Sequence, residues 1–169
     1  LLGIDIGGTG TKAGVFSLDG NLRGSGYGEY QMISTLPGQA EHDADGWWQA
    51  TIRAIQDAIA GVATETIGAI AVGCTNGLIA VDDLGLPIRP AIMLWDQRAL
   101  PEVDRIKEQL GDEEVFSVTG NPLATGAFSL PTILWLMHNE PESFQAAHKL
   151  MVPGGYLVAR LTGEFTIDH

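Results

Sequence analysis

The order of residue patterns along this chain predicts an α/β fold, a mixed sheet flanked by helices. Three observations carry the prediction. The first 33 residues read as consecutive strands. Helical periods then alternate with short apolar runs. Gly, Pro and Asp mark the turns between them. Of 169 residues, 45% are hydrophobic, enough for the core of one ordinary domain.

Leu2, Ile4 and Ile6 alternate along a first strand, and a glycine-rich turn follows. Residues 12–18 carry Ala13, Val15 and Phe16, and Asp19-Gly20 supplies a tight turn. Residues 23–32 continue with Tyr27, Tyr30 and Met32, which completes a three-stranded antiparallel meander. Pro37-Gly38 breaks the chain. Trp48, Ile52, Ile55 and Ile59 then fall at helical spacing, so they are the expected buried face of a helix ended by Gly61. Residues 67–72 read as a short buried strand. Residues 78–81 read as another, closed by the turn Asp82-Asp83-Leu84-Gly85, and residues 91–94 as a third. A helix begins near Pro101, with Val103, Ile106 and Leu110 on one face and Gly111 as its stop. Further helices open at Ser129-Leu130-Pro131, at Pro141 (a short one, to Lys149) and at Pro153, the last stopped by Gly163. Residues 165–167 look like the start of a strand. Residues 1–169 thus form one domain. Because the chain begins without Met and ends on entering a strand, a longer protein is the expectation.

Formal net charge is −12. Such a balance disfavours nucleic acid and anionic membranes as partners. No run of eighteen apolar residues is present, and Asp5 interrupts the apolar start, so neither a membrane span nor a signal peptide is expected. The single cysteine, Cys74, allows no internal disulfide and fits a reducing, cytoplasmic setting. It is expected to be a small buried residue. An anionic ligand on so acidic a chain needs a local device, either backbone N–H groups or a metal.

The segment Asp5-Ile6-Gly7-Gly8-Thr9-Gly10-Thr11-Lys12 could supply one. A P-loop is excluded, because four residues must separate its first Gly from Gly-Lys-Ser/Thr. A dinucleotide fingerprint fits by letters at Gly8, Gly10 and Ala13. That motif must open a helix, whereas here a strand and hairpin turn follow. The favoured reading is a hairpin turn that grips phosphates. Gly8, Thr9 and Gly10 would offer N–H groups, Thr9 and Thr11 hydroxyls, and Lys12 a positive charge. Asp5 would hold Mg²⁺ through water, since Mg²⁺ keeps most of its hydration shell. The bland alternative is a glycine-rich hairpin with a solvated Asp. An Asp in an apolar strand is costly without a partner, which weighs against it.

Residues 2–9 resemble the first phosphate motif of the actin-like ATPase superfamily. Later segments resemble the FGGY carbohydrate kinases: Pro37-Gly38-Gln39-Ala40-Glu41-His42-Asp43 with Trp47-Trp48, and Leu86-Pro87-Ile88-Arg89-Pro90-Ala91-Ile92 with Trp95-Asp96-Gln97-Arg98. Thr119-Gly120-Asn121, Leu134-Trp135-Leu136, residues 151–157 and residues 160–165 continue the likeness over the whole chain. The resemblance implies an RNase H-like domain, the first of two, with ATP and a sugar bound between them. The second domain would be absent from this chain. It implies ATP and Mg as cofactors, Asp168 as catalytic base, and Thr75, Asn76, Trp95 and Asp96 at the sugar. A ketopentose such as xylulose is the implied acceptor. Cys74-Thr75-Asn76-Gly77 departs from the Gln-Met-His-Gly type of many relatives, and Thr132 and Gly154-Gly155 depart as well. Two alternatives remain: a repressor–kinase type of sugar kinase, and a non-catalytic sugar- or nucleotide-sensing module on the same fold.

Other features have plain readings. Glu41, His42, Asp43 and Asp45 could be metal ligands, but acids before a helix are favoured by its dipole, with Asp43 or Asp45 as cap. Trp47 and Trp135 read as core. Arg98 could bind substrate, or equally pair with Asp96 or a neighbouring acid. His138, His148 and His169 lack ligand-like spacing. The sequence leaves a homodimer open.

Overall fold

The computed structural model describes residues 1–33, 36–126 and 129–167. The chain divides into two compact units. The first comprises Leu1–Met32, Asp43–Thr75 and the segment from Pro153; the second comprises Ile33–His42 and Asn76–Val152.

The first unit is built on the meander the sequence predicts. Strands β1 (Leu2–Ile6), β2 (Gly10–Phe16) and β3 (Leu22–Glu29) are antiparallel neighbours. Gly20, at φ +84°, makes the β2–β3 turn. After a two-residue strand, β4 (Met32–Ile33), and another, β5 (Glu41–His42), helix α1 (Ala44–Ile59) follows. Strand β6 (Ile70–Cys74) then pairs parallel to β1, giving the order β3-β2-β1-β6. This is the mixed sheet expected. Leu2, Ile4, Ile6, Thr11, Ala13 and Val15 are buried on one face, and α1 packs across it.

That packing revises the predicted helix face. Trp48, Ile52, Ile55 and Ile59 are only half-buried, while Trp47, Ala50, Thr51, Ala54 and Ala58 are fully covered. The reason lies on β3. A Cβ on Gly24, Gly26 or Gly28 would collide with the carbonyl oxygens of Ala58, Ala54 and Ala50, respectively. Four helical residues advance ~6 Å and two strand residues ~6.8 Å, so glycines at every second strand position meet alanines at every fourth helix position. The two backbones come into direct contact, and the helix turns its smallest side chains inward.

Strand β6 is the edge of this sheet among the described residues. It is mostly exposed, not buried as its apolar letters suggested. The last helix of the chain, α6, also belongs to this unit and is placed below.

In the second unit the sheet order is β4-β5-β8-β7-β9. It contains β7 (Gly77–Val81), wholly buried, β8 (Ala91–Met93) and β9 (Lys149–Met151). The turn after β7 is as predicted: Asp82 Oδ1 accepts from the N–H groups of Leu84 and Leu86 at 2.9 and 2.8 Å. Helices α2 (Leu100–Leu110) and α3 (Asp112–Thr119) meet at Gly111. Val103, Ile106, Val115 and Leu123 form their core, with Leu134 against it from α4 (Ser129–Asn139). Leu110, expected on the buried face, is exposed. Helix α5 (Pro141–Ala146) ends before β9, a strand that replaces the predicted end of that helix. Back in the first unit, α6 (Pro153–Thr162) packs on β6, and Tyr156 meets Trp47 of α1 edge-on at 6.5 Å. Residues 165–167 form no strand. No described helix is long and apolar enough to cross a membrane.

Candidate functional site

The segment read from the sequence as a phosphate grip forms the turn between β1 and β2. The strand register sets Asp5 directly opposite Lys12. Both lie on the face away from α1 and both are exposed, as is Thr9. Neither charged group closes an ion pair among the described residues, so both are presented to solvent. Exposure also removes the burial penalty that sequence reasoning had assigned to Asp5. Gly7 N–H closes the turn on Gly10 O at 3.0 Å. The N–H groups of Gly8 and Thr9 have no acceptor among the described residues. None of Gly7, Gly8 and Gly10 has positive φ. Their value here is the missing side chain, since a Cβ on Gly10 would strike the ring of Tyr27.

Thr11 does not offer its hydroxyl to a ligand. It is fully buried on the helix side, with Thr51 Oγ1 donating to its Oγ1 at 3.4 Å. Thr75, expected at the sugar, continues β6 alongside the same turn, its N–H donating to Ile6 O at 2.8 Å. A shallow groove of about 510 Å³ runs along the open face of the sheet, past Gly3, Asp5, Lys12, Gly14, Ser25 and Gly73.

In the second unit, the stretch after β8 is clamped to residues 38–42. Met93 N–H donates to Ala40 O at 3.0 Å, and Gln97 N–H to Gly38 O at 2.8 Å. Trp95 is 40% exposed. Its ring meets the buried His42 edge-on at 5.9 Å. It therefore presents an aromatic surface held from behind.

Two of the predicted sugar ligands are engaged elsewhere. Asn76 Nδ2 donates to Gly126 O at 3.2 Å and its Oδ1 accepts from Gly77 N–H at 2.9 Å. Asp96 is 2% exposed. It takes Arg98 Nε and Nη2 in a two-pronged pair at 2.9 and 2.8 Å, and Ala40 N–H at 2.6 Å. Its lone pairs are spent on the fold, which corrects its assignment to substrate. Arg98 also reaches Glu41 Oε1 at 2.7 Å, which Arg89 shares at 2.5 Å. Arg89 continues to Glu140 at 2.7 Å. Burial opposes the charge on Arg98, but its bonds to Asp96 and Glu41 outweigh this and raise its pKa. Trp135 is half-buried beneath the Arg98 guanidinium, 4.9 Å from ring centre to carbon.

Residues 41–45 are parted among structural tasks. Asp43 caps α1 by accepting Asp45 N–H at 3.0 Å. Asp45 pairs with Arg160 at 2.9 Å, and Glu41 belongs to the arginine network. Cys74 is exposed rather than buried, and its sulfur accepts Gly154 N–H at 3.1 Å. Asp168, the implied base, and His169 lie outside the described residues.

Burial pushes the pKa of His42 down. The unfolded chain takes up a proton near pH 6.5 that the folded one resists, so stability should fall as pH drops through that value. Denaturant midpoints at about pH 7.5 and about pH 5.5 measure the loss, and a His42→Gln variant should show less of it.

The family described as the FGGY family of carbohydrate kinases, N-terminal domain, matches residues 1–169. The chain belongs to this family. A xylulose kinase from Staphylococcus xylosus is 32% identical over 164 residues, 96% of this chain and 34% of that protein. An autoinducer-2 kinase from Escherichia coli O139:H28 is 30% identical over 176 residues, 99% of this chain and 33% of that protein. Among solved structures, a xylulose kinase from Rhodospirillum rubrum superposes with a TM-score of 0.92 at 26% identity, over 99% of this chain and 35% of that one. This FGGY chain spans about a third of the length of these relatives. Its fold is the α/β, actin-like fold the sequence implied, with a mixed sheet flanked by helices. The FGGY signature was legible in the later segments, from Pro37-Gly38-Gln39-Ala40-Glu41-His42-Asp43 to Trp95-Asp96-Gln97-Arg98, and not in Asp5-Ile6-Gly7-Gly8 alone. What sequence reading missed at this turn were Tyr30 and Thr51 on its α1 side and Tyr27 opposite Lys12 on the open face, none of which belongs to a motif.

Proposed function

We propose that the full protein transfers the γ-phosphoryl group of MgATP to a sugar hydroxyl, with this chain as its first domain and the second supplied by the remaining length. A ketopentose such as xylulose is the proposed acceptor, as in the xylulose kinases it resembles. The observation that carries the reading is the β1–β2 turn, where the accessible N–H groups of Gly8 and Thr9 stand beside an exposed Lys12 and an exposed Asp5. That donor set fits a magnesium-bound polyphosphate. N–H groups and an ammonium meet phosphate oxygens, and a solvated carboxylate meets metal-bound water. Gly8, Thr9, Gly10 and Lys12 would hold the phosphates, and Asp5 would orient the metal's water. When bound, Mg²⁺ offsets the charge that spreads over the phosphoryl oxygens as the transfer proceeds. The sugar oxygen bonds to phosphorus, the bond to the ADP oxygen breaks, and the hydroxyl proton leaves with a base. Trp95 would face the apolar side of the sugar, with Thr75 as a further proposed sugar contact. Asp168 is the base proposed to take the hydroxyl proton.

The test is an ADP-release assay on the full-length protein with ketopentoses, polyols and aldonates. Turnover should appear with a ketopentose. Asp5→Asn should lower kcat on the order of 100-fold, since it removes charge that matters in the transition state. The exposed position of Asp5 predicts an unchanged Tm. Absence of turnover with every sugar, together with retained ATP binding, would support the sensing-module alternative instead.

A further inference from the structure

The turn is held from behind by hydroxyls that the phosphate reading does not use. Tyr30, one residue past β3, donates its hydroxyl proton to Gly7 O at 2.6 Å. Its N–H donates to Thr9 O at 3.2 Å. From the open face, opposite Lys12, Tyr27 adds a longer donation to Thr9 O at 3.4 Å. A carbonyl can only accept, so the direction of the Tyr30 bond is fixed. The phenol oxygen in turn interacts with the Thr11 hydroxyl, and Thr11 accepts from Thr51. Thr51, Thr11 and Tyr30 thus set three hydroxyls from α1, β2 and the end of β3 behind the turn, the last of them bonded to a turn carbonyl. Hydrogen bonds in series polarise and strengthen one another.

The consequence follows from peptide geometry. In a trans peptide the C=O of one residue and the N–H of the next point in opposite directions. With Gly7 O drawn toward Tyr30, Gly8 N–H must face the other way, outward. With Thr9 O drawn toward Tyr30 N–H, Gly10 N–H turns away from β3. Among the described residues no other hydrogen bond holds the Gly7–Gly8 peptide, and glycine on both sides leaves no Cβ to resist a flip.

We propose that Tyr30 is a positioning residue for polyphosphate binding: its hydroxyl, backed by Thr11 and Thr51, fixes the Gly7–Gly8 peptide so that Gly8 N–H faces the anion. This rests on the nucleotide reading above. Burial, helped by the charge of Asp5, pushes the Tyr30 phenol up to about 12, so its proton stays in place for donation at neutral pH.

The test measures MgATP and sugar separately, by calorimetry and by KM, on the full-length protein. Tyr30→Phe keeps the ring near Trp47, 6.3 Å away, and removes only the hydroxyl. Its Kd for MgATP should rise about 10-fold, the loss of one well-placed bond and the order it imposes. The KM for sugar should stay within about twofold. Thr11→Val, of nearly the same shape, removes the backing hydroxyl, and should weaken MgATP by roughly threefold even if Tyr30→Phe folds poorly. MgATP affinity unchanged in both variants overturns the inference while the nucleotide reading stands. Equal losses for MgATP and sugar also overturn it, since they indicate a general structural role. A wild-type protein that binds no MgATP overturns the nucleotide reading, and the inference with it.

Discussion

Gly26→Ala should destabilise the protein by about 3 kcal/mol or more, toward the upper end of overpacking effects. The new methyl would run into the Ala54 carbonyl and lie 2.8 Å from Asp57 Cβ. The obstacle is helix backbone, so no rotamer change relieves it. Helix α1 would have to lift from β3, opening Trp47, Ala50 and Ala54, each at most 1% exposed. The expected readout is a large fall in apparent Tm with reduced soluble yield. Gly61→Ala is the control. Nothing lies within 4 Å of its Cβ and its φ is not positive, so a change within about 0.5 kcal/mol is expected. A Gly26→Ala protein as stable as the Gly61→Ala protein would show that the backbone contact is not tight.

Arg98→Met should cost about 3–5 kcal/mol, because it strands two carboxylates that the fold has taken out of water. Asp96 would lose both prongs of its pair, and Glu41 would keep only Arg89. Arg98→Lys should recover little. An ammonium cannot meet both Asp96 oxygens and a third carboxylate oxygen while lying flat over Trp135. Urea unfolding with Trp fluorescence follows the loss. The contrast is Lys107, whose pair with Asp112 at 3.5 Å is exposed on both sides. Lys107→Ala should change stability by less than about 1 kcal/mol. If Arg98→Met and Lys107→Ala behave alike, the buried network contributes no more than a surface pair.

These residues also mark how far the sequence could be read. The meander was legible because Leu2, Ile4 and Ile6 alternate and Asp19-Gly20 announces its turn. Helix starts were legible at Pro101, Pro141 and Pro153, where proline suits the first turn. The α1 face was misread because large apolar letters outweighed Ala50, Ala54 and Ala58. Those alanines become the buried face only once Gly24, Gly26 and Gly28 lie beneath them. Residues 67–72 looked like a buried strand because β-branched letters signal strand without saying which neighbours cover it, whereas the strand runs Ile70–Cys74 and is mostly exposed. Asp96 looked like a ligand because the family resemblance set it with Trp95 at the sugar, and a carboxylate can serve either a sugar or an arginine. The partners around the Asp96–Arg98 pair decide, and they come from positions 40, 41 and 135.

The sequence by itself determined the family, the mixed sheet and the turn at residues 5–12. Each of these is written in local letters: a strand period, a glycine cluster, a carboxylate between apolar residues. Only the tertiary structure decided which of those letters face a ligand. Cross-strand register set Asp5 beside Lys12 on the open face, buried Thr11 on the other, and brought Tyr30 behind Gly7. Register and helix docking are contacts between distant residues, and side-chain direction depends on them.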